Sequence, residues 1–126
     1  YGPTKFIRSI LQNGEVHLFG DGSERRNYIF IEDLVGITET FVINDQEGIF
    51  NVASDDNFSF LEIVENLRII MPEKFEVRSS ERSQPKTDQK INCQKLKAAM
   101  PGFLFTPFEE GLRITCEIAI NTKNMK

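Results

Sequence analysis

The sequence has little of what metal sites, disulfide frameworks and nucleic-acid surfaces need. Among 126 residues there are two cysteines, one histidine and no tryptophan. Two thiols and one imidazole cannot complete a typical tetrahedral zinc site, and they do not form a disulfide framework. Lys and Arg number 15 against 19 Asp and Glu, a formal net charge of -4, so the basic footprint of a nucleic-acid binder is absent. We therefore expect a cytoplasmic protein with no nucleic-acid partner.

Long apolar runs are also absent. No stretch approaches the roughly 18 residues of a membrane span, and no signal-peptide pattern opens the chain, so we expect no membrane partner. The chain instead has 40% hydrophobic residues, including eleven Phe. That content and length predict one domain that buries about two-thirds of the surface of its unfolded chain.

Helical and strand patterns alternate along the chain, which predicts a mixed α/β fold. Predicted helices cover Thr4–Gln12, Glu32 or Asp33 to about Ile43, a capped segment that begins at Ser59 and ends before Pro72, Gln94–Met100 and Phe108–Ile120. Predicted strands cover Val16–Phe19, Tyr28–Ile31, Gly48–Ala53 and Phe75–Val77. We expect a parallel crossover from Tyr28–Ile31 to Ile49–Val52. Four short strands give a poorly covered sheet, which indicates that part of the fold lies outside this chain.

Groups for catalysis are scarce. His17 has no Ser, Cys or Asp near it at a recognisable spacing, and both cysteines are interpreted as small buried hydrophobic residues. The turn Gly20-Asp21-Gly22 matches neither a P-loop nor the Gly-x-Gly-x-x-Gly dinucleotide fingerprint. Arg25 and Arg26 precede an apolar strand, where a guanidinium suits a phosphate or diphosphate; the alternative is a solvated surface pair.

A set of short motifs follows a fixed order through nearly the whole chain. They are Tyr1-Gly2-Pro3, Phe19-Gly20-Asp21-Gly22-Ser23, Arg26-Asn27-Tyr28-Ile29-Phe30-Ile31-Glu32-Asp33-Leu34, Gly48-x-Phe50-Asn51-Val52-Ala53-Ser54 and Pro107-Phe108-Glu109-Glu110-Gly111-Leu112. In this order they resemble the NAD-dependent epimerase/dehydratase family of extended short-chain dehydrogenases/reductases, and within it the nucleotide-sugar epimerases and dehydratases.

The resemblance implies a fold and a set of binding residues. Residues 1–126 would be one C-terminal substrate-binding lobe, with the Rossmann half absent from the chain. Arg26 would hold the diphosphate of a nucleotide-diphosphate sugar, and family spacing favours it over Arg25. Arg82 would be the second phosphate or ribose ligand. Leu18 and Phe19 would contact the base of the nucleotide, and Tyr1 would lie near the nicotinamide and the sugar. Asp33 and Asn51 would mainly fix the local structure.

The resemblance also implies what this chain does not contain. The family's glycine-rich NAD fingerprint does not occur here, and its catalytic Tyr-x-x-x-Lys pair lies N-terminal to the matching region. Lys5 follows Tyr1 at that same spacing, but the resemblance assigns Tyr1 to the later Tyr-Gly-Pro motif. We therefore assign no catalytic residue and no cofactor ligand. The longer enzyme would use NAD or NADP, and a homodimer is one expected assembly because dimers are common in that family. Two alternatives remain open: a non-catalytic nucleotide-sugar-binding module, and a reductase of the same superfamily with a non-nucleotide substrate.

Overall fold

A computed structural model of the chain describes residues 2–125. The described residues form five helices and four short strands. The helices are α1 (Pro3–Asn13), α2 (Ile31–Ile43), α3 (Phe60–Ile70), α4 (Gln94–Ala99) and α5 (Phe108–Asn124). The strands are β1 (Glu15–Phe19), β2 (Arg25–Asn27), β3 (Asn57–Ser59) and β4 (Glu76–Ser80). None of these helices is long and apolar enough to cross a membrane.

The first helix is confirmed where its sequence signals place it. Pro3 suits the first turn because its missing N–H would have no intrahelical acceptor there. The helix ends before Gly14, which takes a left-handed φ of 70° and donates its N–H to the carbonyl of Ile10 at 2.9 Å. Glycine adopts this conformation at no steric cost, so the chain turns directly into β1.

The capping box at the start of α3 is also confirmed. The Glu62 N–H donates to Ser59 Oγ at 3.1 Å, and the Ser59 N–H donates to Glu62 Oε2 at 2.7 Å. Two backbone donors that lack intrahelical acceptors are thereby satisfied. The helix buries the middle of its predicted apolar stripe, which consists of Ile63, Val64 and Leu67.

The predicted strand pairing is wrong. Residues 28–31 and 49–52 form no strand, and no crossover joins them within residues 2–125. The parallel pair is instead β1 with β4, in a register that sets Phe19 opposite Ser80, while β2 pairs antiparallel with β3. A β-prone run becomes a strand only where a neighbouring backbone accepts its hydrogen bonds, and among the described residues these two runs lack such a ladder. The fourth strand begins after Phe75, which is buried instead of paired.

Two apolar clusters hold the fold together. The larger one joins α1, β1, α3 and α5 around Ile7, Val16 and Leu67, and it includes Cys116 from the predicted stripe of α5. The smaller one joins α2 and α4, and it includes Cys93. Both thiols are buried, which agrees with their interpretation as small hydrophobic residues. The larger cluster supports β1, and the candidate site lies beside that strand.

Candidate functional site

A cavity of about 650 Å³ opens between β1, β2 and the start of α3. Among the residues that line it are Leu18, Phe19, Glu24, Arg26, Tyr28 and Phe60. A smaller cavity of about 250 Å³ between the 28–31 segment and α5 has no charged side chain in its lining. Of these two cavities, the larger one therefore offers charged groups together with aromatic surface, a composition that suits a ligand site.

The two predicted base contacts, Leu18 and Phe19, both border the larger cavity but face different surroundings. Successive side chains of a strand point to opposite faces. Leu18 is 4% exposed and belongs to the larger apolar cluster, whereas Phe19 is 43% exposed. The His17 ring meets the Phe19 ring edge to face, with their centroids 5.4 Å apart, and lines the same cavity. Phe19 is therefore the more exposed of the two beside the cavity.

The structure distinguishes Arg25 from Arg26. Arg25 points away from the cavity: its Nε donates to Asn57 Oδ1 at 2.9 Å, and its Nη1 lies 3.0 Å from Glu62 Oε2. Arg26 lines the cavity. Because the two are neighbours in β2, strand alternation places their side chains on opposite sides. Of these two arginines, only Arg26 therefore borders the cavity.

Arg26 and Arg82 converge on one carboxylate, that of Glu24. Arg26 Nη2 forms an ion pair with Glu24 Oε1, and Arg82 Nη1 lies 3.3 Å from Glu24 Oε2. The side chains of Arg82 and Glu24 are only 17% and 19% exposed. Two guanidinium groups from segments 56 positions apart therefore contact a single anionic group at the wall of the cavity.

The parallel strand pair explains how Arg82 reaches this site. The register sets Ser80, the last residue of β4, opposite Phe19. The Gly20 N–H then donates to the Ser80 carbonyl at 2.7 Å. Arg82 follows two residues later, and its side chain packs across Gly20, where a Cβ atom would lie 2.1 Å from Arg82 Nε. The absence of a side chain at Gly20 therefore leaves room for the arginine.

Asp21 in the same turn provides a second contact for Arg82, at 3.2 Å from Nη2. Hydrogen bonds from the Ser23 hydroxyl and N–H, and more weakly the charge of Arg82, lower the pKa of the Asp21 carboxyl. Asp21 therefore stays ionised at neutral pH and helps to orient Arg82 from the solvent side.

The hydroxyl of Tyr28 is the one buried side-chain oxygen or nitrogen in residues 2–125 that has no hydrogen-bond partner. Burial raises the pKa of this phenol to about 12, and the nearby Glu24 carboxylate adds to the shift while Arg26 opposes it. The group is therefore protonated at neutral pH. An orphaned donor at the boundary of a cavity is a candidate ligand contact, because its desolvation is not compensated within the protein.

The sequence analysis missed Glu24 and Tyr28, although a signal for both was present. They lie two positions before and two positions after Arg26, and all three line the cavity. Side chains at this spacing share one face of an extended chain. Asp33 and Asn51 have the expected structural roles: Asp33 accepts hydrogen bonds from the N–H and hydroxyl of Thr106, and Asn51 donates to the Asn92 carbonyl. Tyr1 lies outside the described residues.

The described residues do not form a dinucleotide cradle. In such a cradle a glycine-rich turn leads from a strand into a helix whose N-terminus faces the pyrophosphate. Here the turn after β1 leads into β2. Nor do residues 2–125 contain a group of His, Cys, Asp and Glu side chains that could hold a metal ion. Neither NAD ligands nor metal ligands are therefore assigned.

Comparison with known proteins agrees with the order of motifs. Residues 3–53 match the family model described as NAD dependent epimerase/dehydratase family. The expected family resemblance is confirmed. The matched segment contains α1, β1, the glycine-rich turn, Arg26 and α2.

Two curated relatives are similar over about half of the chain. UDP-glucuronic acid decarboxylase 1 of Arabidopsis thaliana is 25% identical over 68 residues, which is 54% of this chain and 16% of that protein. dTDP-D-glucose 4,6-dehydratase of Dictyostelium discoideum is 28% identical over 76 residues, which is 53% of this chain and 18% of that protein. The chain thus spans less than a fifth of the length of these relatives.

The fold matches solved structures over nearly the whole chain. The UDP-N-acetylglucosamine 4-epimerase of Methanobrevibacter ruminantium M1, in complex with UDP-N-acetylmuramic acid, superposes with a TM-score of 0.83 at 22% identity. The match covers 97% of this chain and 40% of that structure. The expected fold class, that of part of an extended short-chain dehydrogenase/reductase, is therefore confirmed.

Proposed function

We propose that residues 1–126 are the substrate-binding lobe of a cytoplasmic NAD(P)-dependent nucleotide-sugar epimerase or dehydratase. In this proposal Arg26 and Arg82 hold the diphosphate of a nucleotide-diphosphate sugar. The observation that carries it is the convergence of both guanidinium groups on the Glu24 carboxylate at the wall of a 650 Å³ cavity. Guanidinium groups arranged around one carboxylate can also bind phosphate oxygens, because both anions accept paired N–H donors.

The remaining lining supports a nucleotide ligand. Phe19 presents a ring beside the cavity, and the Tyr28 hydroxyl is a protonated donor without a partner. A hydrogen bond between charged partners contributes about 1.5–3 kcal/mol, so two arginines are enough to anchor a diphosphate. The names of the three relatives also support a nucleotide-sugar ligand, since each name includes that of a nucleotide sugar.

The proposed lobe contributes binding and orientation to the longer enzyme. When bound, NAD would accept and return a hydride at the sugar. Contacts to the nucleotide, far from the reacting carbon, supply binding energy that holds the sugar in place for that step. Within this chain Arg26 and Arg82 would fix the diphosphate and Phe19 would adjoin the base. The catalytic tyrosine and lysine would belong to another part of the enzyme.

Exposed apolar side chains favour a lobe over a free-standing binding module. Ile49 is 88% exposed, and Val42 near the end of α2 is 76% exposed. Ile31 and Val35 at the start of that helix are also exposed. A module that functions alone would be expected to cover such side chains, since large apolar patches promote association.

Calorimetric titration with UDP tests the proposal. We expect the chain to bind UDP, and we expect Arg26→Ala to raise Kd more than tenfold because a charge-assisted contact is lost. Arg113→Ala is the matched control: it removes the same charge from α5, where Arg113 pairs with Glu110 and Glu117 away from the cavity. Circular dichroism would verify that each variant folds, since Arg26 also donates to the backbone carbonyls of Arg25 and Thr87.

Three outcomes separate the alternatives. Binding that Arg26→Ala weakens and Arg113→Ala preserves supports the diphosphate site. Equal UDP affinity of Arg26→Ala and the unaltered chain contradicts the assignment of Arg26. If the chain and its Glu24→Gln variant are both indifferent to UDP, dTDP, GDP and ADP, the nucleotide-sugar proposal is wrong and a reductase with a non-nucleotide substrate is favoured.

A further inference from the structure

We propose that Glu24 is an internal competitor for the anion site: its carboxylate occupies Arg26 and Arg82 in the free chain and leaves them when a diphosphate binds. This inference rests on the proposed function of the same cavity. It assigns Glu24 a role in setting ligand affinity, in addition to the binding roles proposed for Arg26 and Arg82.

The Glu24 carboxylate makes the contacts with Arg26 and Arg82 that a bound phosphate would make. Each of its two carboxylate oxygens meets a different guanidinium, Oε1 that of Arg26 and Oε2 that of Arg82. A bridging phosphate would use the same donors. With the carboxylate in place, neither arginine can direct those N–H groups to another anion.

The backbone of Glu24 is fixed, so displacement requires only a side-chain rotation. Its carbonyl accepts a hydrogen bond from the Phe60 N–H at 3.2 Å, at the start of α3. The next residue, Arg25, is paired with Ser59 in the strand ladder. Rotation about the side-chain bonds of Glu24 would carry the carboxylate towards solvent while the sheet and the helix stay in place. Such rotations are fast compared with ligand exchange.

The balance of charge favours displacement by a diphosphate. The Glu24 carboxylate provides a single negative charge between two guanidinium groups. Of the two arginines, Asp21 pairs with Arg82 and not with Arg26. The diphosphate of a nucleotide sugar carries two negative charges and matches both arginines. An anion must therefore carry more than one negative charge to replace the Glu24 carboxylate. Because the ion pairs of Glu24 must first be broken, Glu24 lowers the affinity of the site for every anion.

The direct test is UDP titration of Glu24→Gln, which keeps the size of the side chain and removes its charge. We expect UDP to bind about five- to tenfold more tightly, because a partly buried ion pair no longer has to be broken. Glu110→Gln is the matched control. It makes the same change in net charge at an exposed ion pair with Arg113, and it should leave the UDP affinity unchanged.

A second measurement uses the unaltered chain and does not depend on the folding of a variant. Carboxyl groups are labelled with a carbodiimide and an amine, and the labelled residues are quantified by mass spectrometry. Saturation with UDP should raise the labelling rate of Glu24 several-fold, because the released carboxylate becomes accessible. The rate at Glu110 should not change.

The outcomes distinguish this inference from the proposed function. If UDP binds in an Arg26-dependent manner but Glu24→Gln binds it no more tightly, or if UDP leaves the labelling of Glu24 unchanged, the competitor role is wrong and the diphosphate site stands. If Glu24→Gln binds UDP and the unaltered chain does so weakly or not at all, the competitor role is supported. If neither chain binds UDP, both proposals fail.

Discussion

Substitution of Gly20 by Ala should displace the Arg82 side chain, although residue 82 itself is unchanged. Gly20 has a left-handed φ of 68°, and a Cβ atom at this position would lie 2.1 Å from Arg82 Nε and 2.8 Å from its Cγ. Atoms cannot approach so closely, so the arginine side chain must leave its place across the turn. Its contacts with Glu24 and Asp21 would then be lost.

Gly14→Ala provides a control with nearly the same backbone strain. Gly14 has a φ of 70°, and no atom lies within 4 Å of a Cβ added there. An L-residue in this conformation costs about 1–2 kcal/mol, and both variants should show that loss. Gly20→Ala should lose about 1.5 kcal/mol more, since the partly buried contact of Arg82 with Glu24 is also broken. Urea denaturation measures both differences.

The affinity for UDP provides the functional measurement for the same two variants, Gly20→Ala and Gly14→Ala. Loss of one guanidinium contact corresponds to an increase in Kd for UDP of about ten- to a hundredfold. We expect this increase for Gly20→Ala and none for Gly14→Ala. Arg82→Ala should reproduce the loss, and adding Gly20→Ala to it should weaken binding no further, because both changes act through one side chain. Unchanged UDP affinity of Gly20→Ala, or additive losses in the double variant, would refute the assignment of Arg82 to the site.

Three further predictions concern stability and reactivity. Ser59→Ala should lower the free energy of unfolding by about 1 kcal/mol in urea titrations and leave UDP affinity unchanged. Hydrogen bonding from the Ser59 backbone holds the pKa of Glu62 below its ordinary value of 4.5. The ionised Glu62 carboxylate therefore stabilises the fold above pH 4.5, and this stabilisation is lost as the pH falls through the lower pKa of the folded state. The unaltered chain should therefore lose stability more steeply below pH 4.5 than Glu62→Gln, which has no carboxyl to protonate at this position, and parallel pH profiles would contradict this. Burial raises the pKa of the Cys116 thiol to about 11, so alkylation by iodoacetamide at pH 8 should be slow when folded and fast in urea; equal rates would contradict its burial.

The charged residues of the candidate site lie in or next to short strands. Arg26 lies in the middle of β2, Arg82 follows the end of β4, and Glu24 precedes β2. The segment after Arg82 is held along β2 as well: the Gln89 N–H donates to the Arg25 carbonyl at 3.0 Å. Short strands packed against the larger apolar cluster thus fix the backbone from which the charged side chains extend.

Several features of the fold could be predicted because their signals are local. The spacing of Phe6, Ile7 and Ile10 predicts α1, and Gly14 marks its end. The capping box of Ser59 and Glu62 predicts the start of α3. In each case the residues that determine the conformation lie within one or two helical turns of one another, so that hydrogen bonds and side-chain packing along the helix are readable from sequence order.

The helices, the mixed α/β fold class and the family resemblance are readable from the sequence alone, which also names Arg26 and Arg82 as candidates. Only the tertiary structure decided that β1 pairs with β4, and that this pairing brings Arg82 to Gly20 and Glu24. It also showed that Tyr28–Ile31 forms no strand. Strand pairing depends on which distant backbone is available to accept hydrogen bonds, and that choice is made by the packing of the whole chain and not by any local pattern of residues.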